Sequence, residues 1–499
     1  MNVLDKVISV FSPQAAYERM LWRESLEARK NERGYDAGSD GRLNANWRAV
    51  NANAETINRA YRDVIRARSQ DLERNSDILE SILLAFERNV VGTGFRLQAK
   101  TPNANLNIQL EELFKKWSRP KYCDVSQQQS FVEICQMMIR RRRVDGAVFI
   151  VKRYIKNDFI PFTLQLYEVE DLDITRVSST ARVVGGIEYN EFNRPIGYFV
   201  KKYDVFGNWT GNSERIDAKD VIYLYRKKRP SQLREISELA TTLPRVRDMN
   251  QYMEAVSVKE RVAALLAVMI KKLIPNGNLG RGVTNSGVKP IEYAGKTLSP
   301  GMIMELNPGD EVQVVQPPAQ GAGAADFLRL QQRLTGSAQG ISYEVAARDL
   351  SQVNYSSARQ GLLEDRSTYE MEQQVFKDHF LNEVYEEFVE AAVLSGVVHI
   401  PDFYKNKEIY LKHEWIAPGM KWIDPKKEAE ANKIMLDNHL TTLENIAAST
   451  GQDWREIIEQ RAKEIAYAKE KGVILNAESQ SVKTEQTDEE SDDGTESDD

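Results

Sequence analysis

"LPRVRDMNQYMEAVSVKERVAALLAVMIKKLIPNGNLGRGVTNSG", residues 243–287, carries the longest uninterrupted helical pattern in the chain and then breaks it. Val246, Met249, Met253, Val256, Val262, Leu265, Leu266, Met269 and Leu273 fall on or near one side of a helix running from about Leu243 to Leu273. Roughly thirty residues at 1.5 Å each reach about 45 Å, further than most globular helices, so this one needs neighbours along its length. The glycines and asparagines of 275–287 stop the pattern. Strand-like "MIMEL" and "EVQVVQP" follow, and helical character returns from about Ala324 to Gly336 or Gly340. Two helices therefore bracket a small insert that contains strands.

Upstream, the sequence from Pro13 to about Arg33 is helix-like and charged, and 34–47 is a Gly/Asn/Asp-rich loop. Helical periodicity over 51–91 ends at "VVGTGFRLQAK", where Gly92 and Gly94 bracket a turn into a strand; the spacing and lysine of a phosphate loop are missing. Helices are expected at 106–118 and 127–142, then strands in "GAVFIVKRYI" and "FTLQLYEVEDLDI" and a hairpin bending at Asn193–Gly197. The centre is thus an α+β module, and the chain as a whole is α+β and mainly helical.

Downstream lies "DLSQVNYSSARQG", 349–361, between a loop and a long helical pattern. A catalytic serine needs a base and a group that orients it; the chain has only four histidines, none nearby, and no Gly-x-Ser-x-Gly turn. Ser357 followed by Gln360 instead reads as a capping box. The capped helix is expected from Ala358 to about Ser395, with Leu362, Tyr369, Phe376, Phe380, Val384 and Phe388 buried and Gly396 just past its end. Asp424 and Pro425 should open another helix, with helices at about 426–449 and 453–471.

At 499 residues, with a prior of about 150 per domain, the chain has room for three modules or so. Its formal charge is −7, but residues 478–499 hold ten acids and one lysine, so the remainder stands near +2. That excludes a globally basic nucleic-acid binder while leaving local patches open. Arg140 to Arg143 and Arg226 to Arg229 are such patches; without interleaved aromatics they read as a solvated face or an intersubunit salt-bridge surface before phosphate contacts. Cys123 and Cys135 form no metal-ligand pattern and fit a reduced, cytosolic setting. The first residues, "MNVLDKVISVFSPQ", read as a short packing helix, not a secretory signal. No apolar run approaches the ~20 residues of a membrane span. No catalytic, metal or cofactor site is expected, and the tail beyond Ala477 should be disordered.

Taken together, "RSQDLERNSD" with "NVVGTGF" (68–95), "VDGAVFIV" (144–151), "DVIYLYRKKRPSQLREIS" (220–237), "LSPGMIMELNPGDEVQVVQP" (298–317), "ISYEVAARDLSQVNYSSARQGLLE" (341–364) and "WIDPKKEAEA" (422–431) resemble, in order, the portal proteins of tailed bacteriophages, lambda-like family. The first thirty residues and the tail lie outside the resemblance. It implies a dodecameric ring at one capsid vertex, passing double-stranded DNA during packaging and ejection and located in the virion after assembly in the host cytoplasm. The implied partners are the terminase large subunit, a head-completion or adaptor protein, and the major capsid and scaffold proteins; no cofactor and no membrane are implied. The implied regions are a wing at 1–230, a first stem helix region at 231–274, a clip at 275–318, a second stem helix at 319–344, a channel loop at 345–357, a long wing helix at 358–396 and crown-like helices at 397–477. Arg348, Asp349, Gln352, Asn354 and Tyr355 would lie in the channel loop. A DNA-binding scaffold built on the basic patches, or a packaging-associated enzyme, is the alternative.

Overall fold

The computed structural model describes residues 12, 14–15, 17–22, 46, 49–265, 269–272, 310–313, 321–351, 354–419 and 424–473. The expected helix at the very N-terminus, the strand "MIMEL" and the acidic tail lie outside these. The chain divides into two units, Met1–Thr56 and Ile57–Asp499. In the first, residues 14–15 and 17–22 are helical.

The second is mixed α and β with helix predominating. Helix α1 (Ala54–Asn75) gives way at extended Ser76 to α2 (Asp77–Phe86), whose Ile78, Leu79, Ile82, Leu83 and Phe86 are buried. A five-residue π turn, Glu87–Val91, ends at Gly92, and Gly94 (φ +103°) leads into β1 (Arg96–Ala99), the turn into a strand that the glycines indicated. Helix α3 (Ala104–Trp117) is capped by Asn103, and α4 (Phe131–Val144) by a Ser130/Glu133 capping box. Strands β2 (Ala147–Tyr154), β3 (Phe162–Tyr167) and β8 (Val221–Tyr225) form an antiparallel sheet in the order β3-β2-β8. A second antiparallel sheet runs β4-β5-β6-β7 (Arg182–Val184, Ile187–Tyr189, Pro195–Tyr203, Trp209–Asp217). Its β5–β6 hairpin, with Asn193 at φ +60°, is the one the sequence signalled.

Strand β2 shows why the module holds together. Side chains alternate faces with period two: Val148 and Ile150 enter a core shared with α2, α3 and α4, while Ala147, Phe149 and Val151 enter a second core against β5–β7. Burial on both faces explains the unbroken apolar run. In the larger core Phe114 touches Trp117, Phe131, Phe388 and Trp415 at centroid distances of 5.2–5.5 Å, mostly edge to face.

Helix α5 (Leu243–Leu265) is shorter than its periodicity suggested: Met269–Lys272 is a strand, β9, paired antiparallel with β10 (Asp310–Gln313). A four-residue apolar segment with β-branched character suits either state, and here pairing decides. Helix α6 (Gly321–Gln339) packs beside α5, with Tyr252 and Phe327 rings 4.9 Å apart. After α7 (Tyr343–Ala347) comes α8 (Tyr355–Phe376), a second π turn (Lys377–Leu381) and α9 (Asn382–Leu394). Tyr369, Phe376, Phe380, Val384 and Phe388 are buried as expected, but Leu362 is 40% exposed, lying on the first part of α8 away from the core. Gly396 (φ +75°) follows the end of α9. Strand β11 (His413–Ile416) pairs with β1. Asp424 caps α10 (Pro425–Asp437) with Pro425 in its first turn. The single helix expected to 449 is two, α10 and α11 (Leu443–Ser449), because His439 takes a left-handed conformation and Thr442 caps afresh; α12 (Trp454–Glu470) follows.

Candidate functional site

The segment singled out by its serines leaves the α6 corner and returns to α8, and its base is fastened on both sides. Gly340 (φ +75°) ends α6, and its carbonyl accepts from Thr368 Oγ1 at 2.8 Å. Ser342 donates its amide and hydroxyl to Asp365, at 2.7 and 2.6 Å. One short helix later, Arg348 adopts φ +55° and turns the chain outward. Asp349 accepts from the Ser351 hydroxyl (2.6 Å), the Ser351 amide (3.0 Å) and Tyr343 Oη (2.9 Å), and these donors hold its carboxyl at about 2.

The capping assignment needs correction. Ser357 and Gln360 do not form a capping box; the N-cap is Asn354, whose Oδ1 accepts from the Ser357 amide at 2.9 Å and the Ser357 hydroxyl at 2.7 Å. Helix α8 therefore starts one turn earlier, at Tyr355, and Ser357 sits at its third position. An asparagine side chain reaches the same amide a serine would, and it lies one turn further upstream. Gln360 is exposed. Arg348, Asp349, Asn354 and Tyr355 are thus brought to one turn and helix start, while Gln352 lies outside the described residues. Two basic groups from α6 join them: the Arg333 guanidinium stands 5.3 Å from the Tyr343 ring centroid, and Arg329 adds to the charges that depress Asp349.

A second centre was not legible in the sequence. Residues 231–242, irregular yet largely buried, thread between the α+β module and α5. Glu235, fully buried, receives Arg66 Nη2 at 2.6 Å and Arg234 Nε and Nη2 at 3.0 and 2.8 Å, and Tyr223 Oη also donates to it. Burial pushes this carboxyl up, but Arg234, Arg66 and Arg62 outweigh it and hold it at about 2. Ser237 bonds Ser69 (2.9 Å) and the Arg143 carbonyl (3.1 Å). At the crossing, Gly146 (φ +95°) lies so near that a Cβ there would stand 2.5 Å from the Ile236 carbonyl carbon. That contact joins two of the quoted motifs, "VDGAVFIV" and "REIS".

The arginine run is neither a solvated face nor a phosphate site. Arg140 pairs with Glu73 (2.6 Å), Glu87 (2.9 Å) and Glu80; Arg141 pairs with Glu73 and with Asp145 at 3.3 Å. Arg142 and Arg143, 1% and 2% exposed, meet Glu238 and Glu372 from the seam and α8: Arg142 Nε is 3.2 Å from Glu238, Arg143 Nη2 3.4 Å from Glu372, and Arg142 Nη2 also reaches Glu372. The Arg143 guanidinium lies 3.1 Å from the Phe86 ring centroid, and burial pulls it down to about 10 despite both glutamates. Arg226 to Arg229 are exposed, with Arg226 3.3 Å from Glu372. Among the described residues no group of three or more His, Cys, Asp or Glu is placed to hold a metal, and no helix is long and apolar enough to cross a membrane.

This combination of sheet module, buried seam, helix pair and tethered loop falls within one protein class. The family model of phage portal proteins, lambda family, matches residues 40–373, and the chain belongs to that family. Its curated relatives include the probable portal protein of Halomonas phage phiHAP-1, 26% identical over 456 residues that cover 87% of this chain and 86% of that protein. Portal protein B of Escherichia phage lambda is 20% identical over 494 residues, covering 89% and 92%. Among solved structures, a chain from the neck of an empty GTA particle computed with C6 symmetry aligns with a TM-score of 0.42 and 13% identity, covering 77% of this chain and 93% of that one.

Proposed function

We propose that this portal protein is one subunit of a ring, dodecameric by family expectation, set at a unique capsid vertex of the virion, through which double-stranded DNA enters during packaging and leaves at ejection. The observation that carries the reading is the family match, which runs unbroken from 40 to 373 and so takes in the α+β module, the seam, the α5/α6 pair and the start of α8. Within it, residues 1–230 and 358–396 form the wing, 231–274 and 319–344 the stem regions, and 397–477 the crown-like helices. The insert at 275–318 docks the terminase large subunit and later a head-completion protein. Capsid and scaffold proteins surround the wing during assembly in the host cytoplasm.

Physical chemistry supports a conduit. Tight Lys/Arg binding to phosphates would hold sliding DNA back, and a body near +2 outside its acidic tail avoids that. In the 345–357 loop Arg348 is exposed, and Asp349 beside it stays ionised far below neutral pH, so any phosphate attraction is local and offset. Arg348 and Asn354 contact DNA weakly and transiently, and the serines do no chemistry: the Ser357 hydroxyl is committed to Asn354. A scaffold gripping DNA through Arg140 to Arg143 loses its footing, because those guanidiniums are occupied inside the chain. Negative-stain imaging and native mass measurement of the purified full chain test the reading. A ring with a central channel is expected; monomers or dimers alone, even with capsid and scaffold proteins present, would overturn it.

A further inference from the structure

Strand β3 is the edge of its sheet, and its outward backbone groups are covered one after another until the cover stops. Residues alternate in direction along an antiparallel strand, so Phe162, Leu164 and Leu166 turn their amides and carbonyls away from β2. The Phe162 carbonyl accepts from Trp117 Nε1 at 2.7 Å, and the Leu164 carbonyl from the Val125 amide at 3.0 Å. Leu166 has no such cover among the described residues. It opens onto a cleft of about 380 Å³ between β3 and α4. Met137, Met138 and Val148 give the cleft an apolar floor, and Asp124, Asp145 and Glu168 set three carboxylates about it against one guanidinium, that of Arg141.

An open strand edge is a template for another strand, and an extended peptide that adds to it gains main-chain bonds while alternate side chains enter the neighbouring pocket. We propose that the β3 edge at Gln165–Tyr167 binds an extended segment of a partner protein in which Lys or Arg alternates with apolar residues, adding as a further strand. The apolar residues meet the methionine floor, and the basic ones meet the acidic rim. The site is independent of the conduit reading, since it uses neither the loop nor the helix pair.

The probe is a fluorescein-labelled, end-blocked Lys-Val-Lys-Val-Lys-Val peptide titrated with the full chain and followed by anisotropy, with Glu-Val-Glu-Val-Glu-Val as the counterpart. Saturable binding of the basic peptide alone is expected. Leu166→Pro removes an outward amide without breaking a bond to β2 and should weaken binding at least about tenfold; Met137→Trp, which fills the cleft, should do the same by a different route. Glu168→Lys should narrow the preference for the basic peptide. No saturable binding by about 1 mM peptide, a range in which even weak complexes register, would overturn the proposal. So would equal binding of both peptides, or wild-type binding by both the Leu166→Pro and Met137→Trp variants. If Leu166→Pro instead abolishes self-association of the chain while no peptide binds, the occupant is another copy and the proposal also fails.

Discussion

Replacing Glu372 by glutamine should cost the chain about 3–5 kcal/mol, the range for removing one partner from a buried ion pair. In the intact protein two buried guanidiniums, Arg142 and Arg143, face two buried carboxylates, Glu238 and Glu372, with Arg226 reaching Glu372 from a half-exposed position. Glutamine keeps the volume and removes the charge, leaving Glu238 alone to balance both arginines in a site where burial already draws Arg143 down to about 10. Arg142 is the better served, since its two glutamates together outweigh burial and raise its pKa, so Arg143 should bear most of the loss. Urea unfolding of the full chain, with a slope near the upper end of about 1–3 kcal/mol per molar, should show the midpoint lowered by roughly 1 M or more. Two controls sharpen the test. Arg226→Ala, at the surface, should cost under about 1 kcal/mol, and Arg143→Met added to Glu372→Gln should recover part of the loss by restoring one charge to one. A Glu372→Gln variant within about 1 kcal/mol of wild type, the worth of an exposed pair, would refute the view that this cluster ties α4, the seam and α8 together.

Gly146→Ala should destabilise by more than about 2 kcal/mol, from left-handed strain and from collision with the Ile236 backbone, read in the same urea titration. Asn354→Ala should cost about 1 kcal/mol of helix stability and Gln360→Ala almost nothing, the reverse of what a Ser357/Gln360 box requires; helix loss by circular dichroism on heating checks it. Glu235, held at about 2 against an ordinary 4.5, contributes stability that is complete above 4.5 and lost as pH falls toward 2. Asp145, raised to about 6 from 3.8 chiefly by burial, behaves oppositely: its contribution is present below 3.8 and lost as pH rises through 6. Asp145→Asn should therefore flatten the stability profile between pH 3.8 and 6, and Glu235→Gln should flatten it below 4.5, as followed by unfolding midpoints across pH.

Local rules carried much of the fold. The apolar run of β2, the Asn193 hairpin, the Gly92/Gly94 turn, the Asp424–Pro425 helix start and the Gly396 stop each rest on one residue's backbone preference or a period of two, and each stands where the sequence put it. What stayed hidden was set by distance. Glu372 is 229 residues from Arg143, so nothing in "RRRR" distinguishes arginines facing solvent from arginines facing a carboxylate brought over by folding. Residues 231–242 look like a charged connector because their partners lie on three other elements. The cap of α8 was misplaced by one turn because Asn354 and Ser357 both satisfy the local rule, and only the three-dimensional start of the helix chooses. Arg329 and Arg333 joined the loop residues through the α6 corner, a proximity no spacing encodes.

The π turn at Lys377–Leu381 also bears on how this chain can change by insertion and deletion. A π turn holds one residue more than the α turn it replaces, and each helical residue advances the direction of its side chain by about 100°. Deleting a single residue there would let ordinary bonding close through the gap, yet it would rotate all of α9 relative to α8, swinging Val384, Tyr385 and Phe388 off the Phe114 cluster. The turn at Glu87–Val91 shares this property, and its carbonyls at Asn89 and Val90 are taken up by Gln373 Nε2 from α8, at 2.9 and 3.3 Å. Length changes that loops absorb freely would here act as phase errors, so homologous chains should keep an invariant residue count between Tyr369 and Phe388 even where the residues themselves differ.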